Sequence, residues 1–185
     1  MPLVLPRSDL SVNDALIQHR SVQGIETDSH IAASWSCKLG PFVLRLPNFK
    51  WRKAAINRHD LHHILTGIPC TLEGECQMAN WEFASGRLPS YQAILFCLPL
   101  VWLGVLLCPR KTYHAYCSGC DRVNLYDQHF NSTDTLEEVW QKTWKKQTKS
   151  TSKKITGYLF LVTLSLIYTA LLVIIQILPL LLIFT

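Results

Sequence analysis

His59-Asp60-Leu61-His62-His63-Ile64-Leu65-Thr66-Gly67 packs three histidines and a carboxylate into five residues. Gly67 is a natural C-cap and Pro69 bars continuation, so the pattern predicts a helix over 50–66. At about 100° per residue, with His59 at zero, His63 falls near 40°, Asp60 near 100° and His62 near −60°. Leu61, Ile64, Leu65 and Ala54 take the opposite side. One face of this helix is therefore apolar and the other is dense in potential ligands.

A second helix is expected over 73–85, ended by Gly86 and Pro89. Glu75 and Glu82 lie seven residues apart and share one of its faces. The short connection folds it back antiparallel to the first helix, bringing Glu75 level with His63. The i, i+4 pair His59 and His63 presents two imidazoles to one point, and Asp60 and Glu75 can add oxygens. These four are the candidate metal ligands. His62 and Glu82 are candidate neighbours of the metal, and Glu73 reads as a surface charge. Mixed histidine and carboxylate ligation suits Zn²⁺, and also Fe²⁺ or Mn²⁺. The plainer alternative is an amphipathic helix with a histidine-rich polar face.

Outward from this pair, residues 155–185 carry no charge, enough to cross a bilayer. Between Arg87 and Arg110 lies a second uncharged run, whose residues 91–108 are read as a core helix or one dipped into the membrane and kinked by Pro99, with a second bilayer span as the alternative. The net charge of +5 is local: residues 110–154 hold nine Lys/Arg against five Asp/Glu, with Lys142, Lys145, Lys146, Lys149, Lys153 and Lys154 just ahead of the apolar tail. A basic block there points to anionic lipid and a cytoplasmic or matrix-like side, not to nucleic acid.

The fold class expected is all-α: a compact helical domain with a metal site between two antiparallel helices, plus a C-terminal transmembrane helix. The division is an N-terminal extension at 1–44, the domain at 45–145, a basic linker at 146–154 and the membrane segment at 155–185. An N-terminal helix is expected around Ala15, Leu16 and Ile17, and an amphipathic one around 135–144. Phe42-Val43-Leu44-Arg45-Leu46 is a strand or a buried extended segment, stopped by Pro47. Residues 1–5 show no secretory core. Seven scattered cysteines do not make a disulfide framework and point to a reducing compartment. Cys117-Ser-Gly-Cys120 is a lone pair without two further ligands at an ordered spacing.

His59-Asp60-x-x-His63, eleven residues, then Glu75 resembles the signature of the coenzyme Q biosynthesis protein four family. The surrounding Leu61-His62-His63-Ile64-Leu65-Thr66-Gly67 and Gly74-Glu75 agree with it. Ala115-Tyr116-x-x-Gly119, Asn124-Leu125-Tyr126 and Leu136-Glu137-Glu138-Val139 resemble a weaker second block, so the likeness covers about residues 45–145. It implies a helical, membrane-associated protein with zinc on His59, Asp60, His63 and Glu75. It also implies a role in removing the C1 carboxyl of a prenylated hydroxybenzoate, alongside other quinone-biosynthesis enzymes. A lipid groove would draw on Leu98, Leu100, Trp102 and Tyr116. Departures are Ile68 where an aromatic residue is common, Cys117 and Cys120 at often basic positions, and the charge-free tail.

Two other classes fit the residues. A non-catalytic prenyl-lipid scaffold would use the metal structurally. A phosphohydrolase of the His-Asp type would need His59 and Asp60 on one metal, with partners such as His30 and Asp121. A membrane desaturase is excluded, because His19, His30, His114 and His129 form no second histidine box.

Overall fold

The structure, a computed structural model, describes residues 9–23, 32–39, 42–145 and 149–183. It contains helices α1 (Val12–Gln23), α2 (Lys50–Thr66), α3 (Leu72–Ser85), α4 (Tyr91–Leu107), α5 (Pro109–Cys120), α6 (Leu136–Lys142) and α7 (Thr151–Ile183). Ahead of α2 an antiparallel hairpin pairs β1 (Ser34–Leu39) with β2 (Phe42–Pro47). The body is thus helical as expected, and the Phe42 run is a strand. Residues 1–5, His30, Lys146 and part of the basic stretch lie outside the described residues.

Local chemistry sets the helix ends. Gly67 closes α2 at φ 68°, and its N–H donates to the His63 carbonyl at 2.9 Å. That left-handed geometry costs glycine nothing. Thr71 caps α3 by accepting the Gly74 N–H, and Ser90 caps α4 by accepting the Ala93 N–H. Thr135 and Glu138 close a capping box on α6.

Two apolar clusters divide the interior. The first joins Val12, Ala15 and Leu16 of α1 to Leu61 and Leu65 of α2, and to Leu125, Leu136, Val139 and Trp140. Helix α1, from the segment set apart as an extension, therefore belongs to the same core. It is pinned by Arg20, whose guanidinium donates to Asp60 Oδ2 at 2.9 and 3.1 Å and to Asn57 at 2.7 Å. The second cluster joins Ala79 and Ala84 of α3, Leu98 and Val101 of α4, Tyr116 and Cys120 of α5, and Leu161 of α7. Here α3 and α5 touch so closely that a Cβ at Gly119 would collide with the Trp81 carbonyl oxygen.

Helix α7 runs antiparallel to α4. Tyr158 meets Thr112, just past the end of α4, at 3.2 Å, whereas Ser165 meets the middle of α4. Pro99 lacks an N–H and so donates nothing to the Leu95 carbonyl one turn back. The Trp102 N–H donates to Ser165 Oγ at 3.0 Å, and that hydroxyl donates to the Leu98 carbonyl at 2.5 Å. A serine of α7 thus bridges the donor and the acceptor of one turn of α4. Residues 151–177 of α7 are long and apolar enough to cross a membrane, with a mean hydropathy of 2.5 over the best window. Lys153 and Lys154 of the expected linker form its first turns.

Replacing Arg20 with Ala leaves the buried Asp60 carboxylate without its cation, at a cost of about 3–5 kcal/mol. Denaturant unfolding should show that loss together with release of α1. A variant within about 0.5 kcal/mol of the parent would contradict this role.

Candidate metal centre

Helix α3 returns along α2 so that His63 meets Glu75 near the connection, and His59 and His62 meet Glu82 further along. Donor atoms of three residues converge. His59 Nε2 lies 3.2 Å from His63 Nε2 and 3.3 Å from Glu75 Oε2, and His63 Nε2 lies 3.4 Å from Glu75 Oε1. Among the described residues this is the one group of histidine, cysteine and carboxylate donors spaced for a metal ion. With metal–ligand bonds of about 2.0–2.1 Å, the edge between the two imidazole nitrogens corresponds to a ligand–metal–ligand angle of roughly 100°, and the two edges to Glu75 end on different carboxylate oxygens. The three form one face of a tetrahedral or facial site, with further positions left to water or substrate. His59, His63 and Glu75 can therefore hold a metal ion.

The other ring nitrogens fix which atom faces that point. His63 Nδ1 is 2.8 Å from the Ile68 carbonyl, which only accepts, so Nδ1 carries the proton and Nε2 offers a lone pair. His59 Nδ1 donates to Glu82 Oε1 at 3.0 Å, again freeing Nε2. This carboxylate–imidazole–metal arrangement is the one that orients metal-bound histidines.

Glu82 is 1% exposed and its Oε1 accepts three bonds. They come from His59 Nδ1, from His62 Nδ1 at 2.7 Å and from the Tyr126 hydroxyl at 2.7 Å. His62 is fully buried, and its Nε2 accepts the Leu125 N–H at 2.9 Å, which fixes it as a neutral Nδ1–H imidazole. Burial lowers the His62 pKa, in keeping with that state. Burial alone would raise Glu82, but the charge of His59 and the bonds from His59 and His62 outweigh it and hold the carboxyl well below its ordinary value. Burial and the Glu82 charge both push Tyr126 up, so it stays a donor.

Left to themselves, the ligand side chains form a charged cluster. Burial pulls His63 down, but bonds with Cys70 and Glu75 outweigh it and raise its pKa to about 9. His59 is raised likewise, burial being outweighed by Glu82 and Glu75. A metal must displace protons from these imidazoles, so affinity rises with pH.

The loop after α5 carries Leu125 and Tyr126 to the cluster. Arg122 is stacked between the Trp140 and Trp144 rings, 3.5 and 3.2 Å from their centroids. Arg58 donates to the Leu125 carbonyl, and Asn124 donates to the Arg87 carbonyl.

Asp60 is not brought to the other three: its carboxylate faces Arg20. His62 and Glu82 do adjoin the ligands. Leu98 and Tyr116 are buried at the seam of α4, α5 and α7, with Leu100 packed against them and Trp102 half-buried. Cys117 and Cys120 are free thiols on the last turn of α5. Sequence reasoning passed over His19 and Cys70. The His19 ring stacks on His63 at 6.4 Å, and its Nε2 lies 3.3 Å from Cys70 Sγ. Burial raises the Cys70 thiol, but bonds with His19 and His63 bring it to about 7. Their signal is spatial, since α1 crosses the site 40 residues from α2. Among the described residues Asp60 pairs with Arg20 and Asp121 with Lys154, so neither joins His59 as the phosphohydrolase alternative would need, and His30 lies outside the described residues.

Comparison with protein-family models, curated proteins and solved structures finds no match for the chain.

His63→Ala should abolish stoichiometric metal binding. Glu82→Gln, which keeps size but loses the anion orienting His59, should weaken it about 10–100-fold. Competition with a chromophoric chelator checks both; unchanged affinity in either variant would contradict the arrangement.

Proposed function

We propose that this chain is a membrane-anchored, zinc-dependent protein of coenzyme Q synthesis, acting in decarboxylation at C1 of a prenylated hydroxybenzoate. The observation that carries the reading is the triangle of His59, His63 and Glu75 at the spacing His-x-x-x-His-x(11)-Glu, in a chain that also bears the apolar helix α7. The likeness of the flanking residues to the coenzyme Q biosynthesis protein four family supplies the substrate class.

In this reading the metal is held by His59, His63 and Glu75 and, when bound, supplies a Lewis acid for charge on a carboxylate or phenolate oxygen. Glu82 and the Ile68 carbonyl hold the two imidazoles in the tautomers that leave Nε2 available. His62, Tyr126 and the Leu125 N–H keep Glu82 ionised and fixed without water. Asp60 is a structural partner of Arg20 and, through α1, holds His19 against His63. The carboxyl carbon leaves as CO₂, its bonding electron pair stays on the ring, and a proton takes its place. Helix α7 fixes the domain on the cytoplasmic or matrix-like face, where a membrane-dissolved substrate and neighbouring biosynthetic enzymes can meet it.

A second reading rests on the depth of Glu82. Because that buried carboxylate joins α2, α3 and the loop at 121–135, the metal could serve mainly to stabilise the core of a prenyl-lipid scaffold.

Quinone profiling of a deletion strain tests the catalytic reading. A carboxylated prenyl-benzoate should accumulate, and the parent chain but not His63→Ala should clear it. Unchanged quinones would contradict any role in this synthesis. Clearance by a metal-free His63→Ala protein would contradict a metal-dependent reaction, whereas unfolding of the chain on metal removal would favour the scaffold reading.

A further inference from the structure

Helix α4 presents an apolar side much of which is exposed. Leu95, Leu106 and Leu107 are exposed, and Pro99 and Leu103 between them are half-exposed. At about 100° per residue these five share one side of the helix. The buried Val101 and Gly104 lie on another, toward α3 and α5. Leu98 and Trp102 lie between the two sides, where Ser165 of α7 is spliced into the ladder. The bare side of α4 therefore adjoins α7, whose own outer residues Leu159, Phe160, Ile167 and Leu171 are 52–70% exposed.

The two helices together make one apolar wall. No charged residue lies along 91–107 of α4 or 155–183 of α7. Because α4 and α7 are antiparallel, the exposed Arg110 after α4 falls at the same end as Lys149 and Lys153 at the start of α7. An apolar face with cations collected at one rim matches acyl chains beside anionic headgroups. A patch this extensive is not left to water in a soluble protein.

We propose that the outer side of α4 lies against the acyl chains of the same bilayer that α7 enters. The domain is then held directly on the membrane by two helices and is not suspended from a single tail. Helix α4 is 17 residues, about 25 Å, shorter than the hydrocarbon core, so it acts as a membrane-contacting helix beside the span, not as a second span. The consequence reaches the metal centre. Ala79, between Glu75 and Glu82 on α3, packs in one cluster with Leu98 and Val101 of α4. Glu75 and Glu82 therefore sit on the helix next in from the lipid. The inference rests on α7 as a membrane segment and not on the chemistry proposed for the site.

The test is photolabelling of the full chain in phosphatidylcholine–phosphatidylglycerol vesicles that carry a phospholipid with a diazirine midway along one acyl chain. Peptide mass spectrometry should find adducts on 91–107 at yields comparable to those on 155–183, and none on the exposed Glu138 and Gln141 of α6. Adducts on α7 alone would overturn the proposal while leaving the anchor intact. Absence of adducts from α7 would overturn the anchor and the proposal with it. Crosslinks between α4 helices of two chains, in place of lipid adducts, would assign the face to a second copy and also overturn it.

Discussion

A carboxylate with 1% of its surface exposed cannot remain ionised unless the chain brings donors to it, and Glu82 is that carboxylate. Its three donors come from two other parts of the chain: His59 and His62 on α2, and Tyr126 on the loop after α5. Satisfying one oxygen therefore fixes how α2 sits on α3 and where the loop closes. The loop in turn needs its own fixings, which the Arg122 stack between two tryptophans and the Arg58 bond to Leu125 provide. The imidazole that neutralises Glu82 on one side offers Nε2 to the metal point on the other. Fold and site share one hydrogen-bond network, so neither can be altered alone.

The other half of the molecule is apolar on its outside. Among the described residues, few polar contacts join α4 to α7: the Ser165 hydroxyl bridges the Trp102 N–H and the Leu98 carbonyl, while Thr169 bonds the Ser165 carbonyl within α7. That economy suits helices facing lipid, where unmet backbone groups are costly. Polar chemistry is gathered on α2 and α3, apolar surface on α4 and α7, and α3 is the layer that touches both.

Much of this was legible in the sequence. Helix α2 ends where Gly67 and Pro69 said it would, and α4 and α7 announce themselves as charge-free runs. The spacing of His59, His63 and Glu75 gave the convergent donors, because i, i+4 on one helix and a tight return are local properties. Asp60 was misleading, since a wheel places side chains around an axis but does not know that α1 will set Arg20 against one of them. Helix α5 was not foreseen: its Tyr, Thr, Cys and Gly residues are weak helix formers, and its stability comes from close packing on α3 at Gly119. His19 and Cys70 were hidden for the same reason as Arg20. Their proximity to His63 is a tertiary fact, with no periodicity to reveal it.

The central claim is that three side chains, His59, His63 and Glu75, face the metal, and that Asp60 does not. X-ray absorption of the zinc-loaded full chain measures this directly, compared with Asp60→Asn. The account predicts two imidazoles and light oxygen ligands at about 2.0–2.1 Å, with a first shell identical in the variant. Loss of an oxygen ligand in Asp60→Asn, or a shell containing sulfur, would contradict it.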